Sequence, residues 1–279
     1  MDKEKKWMIV KLSLLGASIL LLAIVVILFI NGLTTPPPAE EFTYPEITEP
    51  TPEPTLPPPP ANPYYATDFE YKGDYLSLIN GTSVLGIDVS EHQEEIDWNA
   101  VKEAGVEFVM IRVGYRGYES GVLMADECAQ VHYEGARAAG LQVGAYFFSQ
   151  AVSAQEAEQE AVFTLEQIQS WQVDMPVVFD WEYIAGDART GEIDAESLTH
   201  ITAVFCQRVE EAGYEPMFYF NQNQGDHLLN LSELVDYDFW LAMYGSMTYP
   251  YKVKMWQYTS SGTVPGIPGN VDLNLYFPD

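Results

Sequence analysis

The sequence is poor in cysteine, histidine and basic residues. Cys128 and Cys206 are the only cysteines, too few for a disulfide scaffold or a cysteine-based metal site. They form either a buried free pair or one long-range disulfide. His92, His132, His200 and His227 are scattered without metal-ligand spacing, so neither a metal nor another cofactor is expected. No Gly-x-Ser-x-Gly elbow and no phosphate-cradling glycine loop occurs, which argues against a serine hydrolase or a nucleotide site. Only 13 Lys and Arg stand against 41 Asp and Glu, a formal charge of −28. That balance excludes nucleic acid as a partner. Lys3, Lys5, Lys6 and Lys11 all lie in the first segment, so the remainder is more one-sided still.

What is present divides the 279 residues into segments. Residues 1–11 are short and basic. Leu12 to Ile30 carries no charge, and residues 12–32 are long enough to cross a bilayer of about 30 Å. A cleaved signal peptide would have a shorter apolar stretch followed by small residues, and Phe29-Ile30-Asn31-Gly32-Leu33 offers no such site. The basic residues precede this span, so a single-pass anchor in the cell membrane is expected, with a cytoplasmic N-terminus and an extracellular remainder. Residues 33–63 are rich in proline, including Pro36-Pro37-Pro38 and Pro57-Pro58-Pro59-Pro60. They read as a disordered, stiff spacer. A lead-in of residues 64–83 precedes the folded part, 84–279.

From Val84 short apolar runs alternate with segments of helical period, the pattern of βα units. Strands are predicted at Val84–Val89, Phe108–Gly114, Gln142–Phe148, Val177–Glu182, Pro216–Asn221, Phe239–Tyr244, Val253–Tyr258 and Val271–Tyr276. Helices are predicted at Trp98–Ala104, Met124–Ala139, Ala154–Trp171, Ala195–Ala212 and Gln224–Leu229. The fold class is therefore α/β: a modified TIM-like barrel of about eight strands and five helices, its last part stripped of helices. Barrels of this kind place their chemistry at the C-terminal ends of the strands.

Carboxylates fall at those ends. Asp88 closes the first predicted strand, Asp180 and Glu182 the fourth, and Asp272 opens the last. Alternation puts Asp180 and Glu182 on one face and Trp181 on the other. Two carboxyls so placed repel, and one should stay protonated near neutrality. A proton donor beside a charged carboxylate is what cleavage of a glycosidic bond requires. Tyr146, Tyr219, Trp240, Tyr244 and Trp256 fall in or at the ends of strands. Flat rings with polar tips suit sugars, so these five are expected to bind substrate.

Gly86-Ile87-Asp88-Val89-Ser90 with Gln93, Asp180-Trp181-Glu182, Trp240 to Tyr244, and Trp256-Gln257-Tyr258 leading to Asp272-Leu273-Asn274 together resemble glycoside hydrolase family 25, the lysozyme-like muramidases. The resemblance runs from about Leu85 to Phe277. It implies a (β/α)5β3 barrel cleaving the β-1,4 bond between N-acetylmuramic acid and N-acetylglucosamine in peptidoglycan. It also implies Glu182 as general acid and Asp180 as stabiliser of developing charge, with Asp88 and Asp272 lining the site and Tyr219 near the cleaved sugar. One departure stands out: Tyr146-Phe147-Phe148 replaces the Tyr-His-Phe of many members. Arg112 reads as structural or as holding a carboxylate. A chitinase-like or endo-N-acetylglucosaminidase barrel, or a non-catalytic wall-binding barrel, are the alternative readings. The partners expected are peptidoglycan glycan strands and the membrane, with the chain a monomer.

Overall fold

The computed structural model describes residues 56–184 and 188–278; the predicted span at residues 12–32 and most of the proline-rich segment lie outside them. Among the described residues no helix is long and apolar enough to cross a membrane.

The chain enters with a hairpin, β1 (Phe69–Lys72) and β2 (Tyr75–Leu78). Then come β3 (Val84–Val89), α1 (Trp98–Glu103), β4 (Phe108–Arg116), β5 (Leu123–Ala125), α2 (Ala129–Ala138), β6 (Gln142–Ser149) and α3 (Ala154–Ile168). The chain continues through β7 (Val177–Trp181), α4 (Ala195–Glu211), β8 (Pro216–Asn221), α5 (Gln222–His227), β9 (Asp238–Ala242), β10 (Met255–Gly262) and β11 (Val271–Tyr276). Strands pair in the order β3-β11-β10-β9-β8-β7-β6-β4, and β3 closes on β4. The result is an eight-stranded barrel with five helices, as the alternating pattern predicts. Only β11 runs antiparallel to its barrel neighbours, β10 and β3. Its first residues therefore lie at the rim where the parallel strands end.

Period-two alternation divides every strand between two cores. Phe108, Met110, Val178, Met217, Trp240 and Met255 fill the barrel interior. Val109, Ile111, Phe147, Phe179 and Trp181 point outward to the helices. Gly86 has a specific reason to lack a side chain, since a Cβ there would stand 2.2 Å from the Phe108 ring that plugs the barrel.

Helix ends follow local chemistry. Asp97, Ser153 and Asp194 cap α1, α3 and α4 by accepting backbone N–H bonds, which satisfies otherwise orphaned donors. Gly105, Gly140 and Gly213 follow the helix ends at positive φ, as glycine there allows.

One predicted helix start is corrected, and two stretches ahead of the barrel carry structure that the sequence did not suggest. The second helix starts at Ala129, not Met124, because Leu123–Ala125 pairs with β4 as a short edge strand. Asp126 then ends that strand, its Oδ1 accepting from the Cys128 N–H at 3.0 Å. Leader residues 64–83 contribute the β1–β2 hairpin, whose Phe69 ring packs 5.0 Å from Trp256. The proline-rich segment is docked at its end: Lys252 N–H donates to the Pro60 carbonyl at 2.8 Å and Asn62 N–H to the Pro250 carbonyl at 2.8 Å. Extended proline-rich chain presents its carbonyls freely, so such pairing suits it. Cys128 and Cys206 are both free thiols.

Candidate active site

At the rim where the parallel strands end lies a cleft of about 610 Å³. Asp88, Asp180, Glu182, Asp272, Tyr146, Tyr219, Trp240 and Tyr244 all line it. Eight of the nine residues singled out from the sequence are thus brought together. Trp256 is the exception. It is 1% exposed, faces out of the barrel against Phe69, and donates its indole N–H to the Met243 carbonyl at 2.7 Å. Alternation explains the correction: Gln257 takes the inward face, so its neighbour must point away.

Asp180 ends β7 facing inward and is buried, and its Oδ1 has no hydrogen-bond partner. Burial first, then the like charges of Glu182 and Asp88, push its carboxyl well above the usual range, with Arg112 opposing. Glu182 follows the strand on the same face. Its carboxyl is also raised, by burial and by Asp88. The strand end is held by two buried amides. Gln150 Nε2 donates to the Glu182 carbonyl at 2.7 Å, and Gln224 Nε2 to the Trp181 carbonyl at 2.7 Å. Trp181 Nε1 adds a bond to the Ala151 carbonyl at 3.1 Å.

Asp88 and Asp272 face each other across the β3–β11 pair, their carboxyls hydrogen-bonded together. Asp88 Oδ2 also accepts from Asn274 Nδ2 at 2.8 Å and from Gln257 Nε2 at 3.0 Å. Burial raises Asp88, and these donors oppose the rise. Asp272 is pushed up to about 8 by burial and the Asp88 charge.

The aromatic residues form the walls. Trp240 packs edge-on against Tyr219 at 5.0 Å and Tyr146 at 6.0 Å, and its indole N–H donates to Asn274 Oδ1 at 2.8 Å. Burial and the nearby Glu182 and Asp180 raise the Tyr219 phenol far above its usual value, so its proton is retained. Arg112 Nε donates to Asp126 Oδ2 at 2.8 Å while its guanidinium lies 3.1 Å from Glu91. It is structural and also the cation that tempers Asp180. Phe147 is buried against Phe163 on the outer side of β6, so the missing imidazole takes nothing from the cleft.

Sequence reasoning missed Gln257, Asn274, Gln150 and Gln224. For two of them a signal existed: Asn274 shares the inward face of β11 with Asp272, and Gln257 is the polar residue between two outward aromatics. A second cavity of about 570 Å³ shares Glu182, Tyr219 and Tyr244 with the first. The groove therefore continues on both sides of Glu182. Among the described residues no three His, Cys, Asp or Glu side chains are grouped to hold a metal ion.

The profile of the family described as Glycosyl hydrolases family 25 matches residues 87–267. A curated relative, the "Autolytic lysozyme" of Clostridium acetobutylicum, is 29% identical over 193 residues, covering 68% of this chain and 55% of the relative. "Lysozyme M1" of Streptomyces globisporus is 26% identical over 206 residues, covering 70% of this chain and 68% of the relative. The solved modular autolysin LytC of Streptococcus pneumoniae superposes with a TM-score of 0.64 at 26% identity, covering 75% of this chain and 52% of that one. The chain spans about half the length of the first of these relatives.

Proposed function

The match over residues 87–267 takes in more than half of the chain, so the chain belongs to glycosyl hydrolase family 25, and we propose that it hydrolyses the β-1,4 bond between N-acetylmuramic acid and N-acetylglucosamine in peptidoglycan. The observation that carries this reading is Asp180: a buried carboxyl beside Glu182 in the cleft, with one oxygen lacking any partner. Such an oxygen is costly to bury unmet, and the acetamido N–H of a bound sugar would meet it.

Glu182, its proton retained by burial and the Asp88 charge, donates that proton to the glycosidic oxygen as the bond to C1 breaks. The acetamido carbonyl oxygen of the same sugar closes on C1, and Asp180, ionised throughout in the complex where the acetamido N–H meets its bare oxygen, accepts that N–H and balances the positive ring. Ionised Glu182 then takes a proton from water, which attacks C1 and reopens the ring. Every proton returns to its place and the anomeric configuration is retained, the substrate-assisted exception to two-carboxylate catalysis. Because the groove continues on both sides of Glu182, the enzyme acts within glycan strands rather than at their ends.

The LytC structure solved with a synthetic peptidoglycan ligand is 26% identical over 75% of this chain, which supports the substrate class. Residues 12–32 would anchor a monomer in the cell membrane, N-terminus in the cytoplasm and barrel outside. The test is release of soluble fragments from purified peptidoglycan by the full chain. It is expected for the wild type and abolished in Glu182→Gln and in Asp180→Asn. Equal release by Glu182→Gln would overturn the assignment.

A further inference from the structure

Gln257 is 4% exposed and is neutral, yet it joins three functional side chains. Its Nε2 donates to Asp88 Oδ2 at 3.0 Å. Its Oε1 accepts from the Tyr244 hydroxyl at 3.1 Å and from the Tyr219 hydroxyl at 3.4 Å. The neighbouring Asn274 shows that Asp88 Oδ2 is an acceptor. An indole N–H can only donate, so Trp240 fixes Asn274 Oδ1 as its acceptor and leaves Nδ2 to face Asp88. Two amide donors on one carboxylate oxygen favour the ionised form of Asp88. The proton between Asp88 and Asp272 therefore belongs to Asp272, and the charge of the pair to Asp88.

The geometry points to Gln257 as a positioning residue: it holds Asp88 ionised, and that charge keeps the proton on Glu182 between turnovers. Several groups face this charge. Asp180, Asp272, Glu182 and Glu91 are the acids that line the cleft with it, Arg112 and Arg116 are the cations, and His92 lies on the same rim. Tyr146, Tyr219 and Tyr244 surround them from β6, β8 and the β9–β10 loop. Asp226 and His227 border the adjoining cavity beside Glu182. Of the charged side chains, Asp88 is the one that pushes the Glu182 carboxyl up. Gln257 touches no reacting atom; it acts through Asp88. The inference rests on the reading of Glu182 as proton donor.

Two substitutions separate this role from simple packing. Gln257→Leu keeps volume and removes the donor, so Asp88 takes up a proton and Glu182 releases its own at lower pH. The basic limb of kcat/KM on peptidoglycan, measured with the full chain, is expected to move down by about half a pH unit, a fraction of one charge-assisted hydrogen bond. Gln257→Glu is isosteric. Protonated, its carboxyl still donates to Asp88; ionised, it adds a second like charge near Glu182. Its basic limb is expected at or above that of the wild type. A limb that moves down in Gln257→Leu and does not move down in Gln257→Glu supports the inference, whereas limbs that stay in place while kcat falls in both variants would overturn it. The midpoint of Glu182 ionisation is read without substrate, as the infrared carboxyl signal lost in Glu182→Gln. A midpoint that moves down in Gln257→Leu sustains the inference even if the wild type leaves peptidoglycan uncut, in which case only the proposed function falls. An unmoved midpoint in an active enzyme removes the inference and leaves the function standing.

Discussion

Asp88 at the end of β3 and Asp272 at the start of β11 are register partners on antiparallel strands, and their carboxyls share a hydrogen bond. The relation depends on the reversal of one strand. Were β11 parallel to its neighbours like the other barrel strands, its second residue would lie at the far rim. Reversal brings a carboxyl from the last strand to the acids ending the first and fourth.

Glu182→Gln is expected to lower kcat by about 10²–10⁴-fold, the usual contribution of a positioned general acid. Its backbone carbonyl still accepts from Gln150, so thermal unfolding is expected to stay near that of the wild type. A large loss of Tm alongside the loss of rate would point to structural failure.

Asp180→Asn tests substrate assistance. The introduced amide can still accept from an acetamido N–H but carries no charge to balance the positive intermediate. Steady-state kinetics on soluble glycan fragments are expected to show kcat reduced with KM little changed. The wild-type product, followed by NMR as it forms, is expected to appear first with its configuration retained.

Stability is expected to fall as pH rises. Asp88, Asp180, Glu182 and Asp272 all have raised carboxyl pKa values, Asp272 at about 8. Glu160, buried beside Arg116 and Ser149, is raised to about 7. The folded state then binds more protons than the unfolded one between about pH 4 and pH 8, and stability is lost as pH climbs through that window. Thermal unfolding across this range should show it. Asp272→Asn, which removes one such group, is expected to flatten the slope.

Gly86→Ala is expected to destabilise by about 1–3 kcal/mol, the usual cost of overpacking a core. Its Cβ would fall 2.2 Å from the Phe108 ring, and a ring plugging the barrel has little room to yield. Denaturant unfolding measures the loss.

Trp256→Phe separates packing from binding. It removes the bond to the Met243 carbonyl and leaves the cleft walls intact, so Tm is expected to drop while KM holds. A raised KM at unchanged Tm would return Trp256 to the sugar site.

Much of the barrel was legible because each strand is an apolar run of fixed period bounded by turn residues, and because Asp88, Asp180, Glu182 and Asp272 sit at the ends of such runs. The hairpin at Phe69–Leu78 was not, since four-residue strands with exposed faces carry little pattern. Gln257 and Asn274 escaped because a neutral amide has no catalytic signature until its partners are known. Trp256 was misplaced by its residue type, although the polar Gln257 beside it already fixed which way it points. The β5 strand was hidden because its three residues run straight into the helical period that follows and are too few to show an alternation of their own.

The most direct measurement is the identity of the new reducing end after the full chain digests purified peptidoglycan, read by mass spectrometry following borohydride reduction. Reduced N-acetylmuramic acid, absent with Glu182→Gln, is the expected product. Reduced N-acetylglucosamine in its place would contradict the account and make the chain a glucosaminidase.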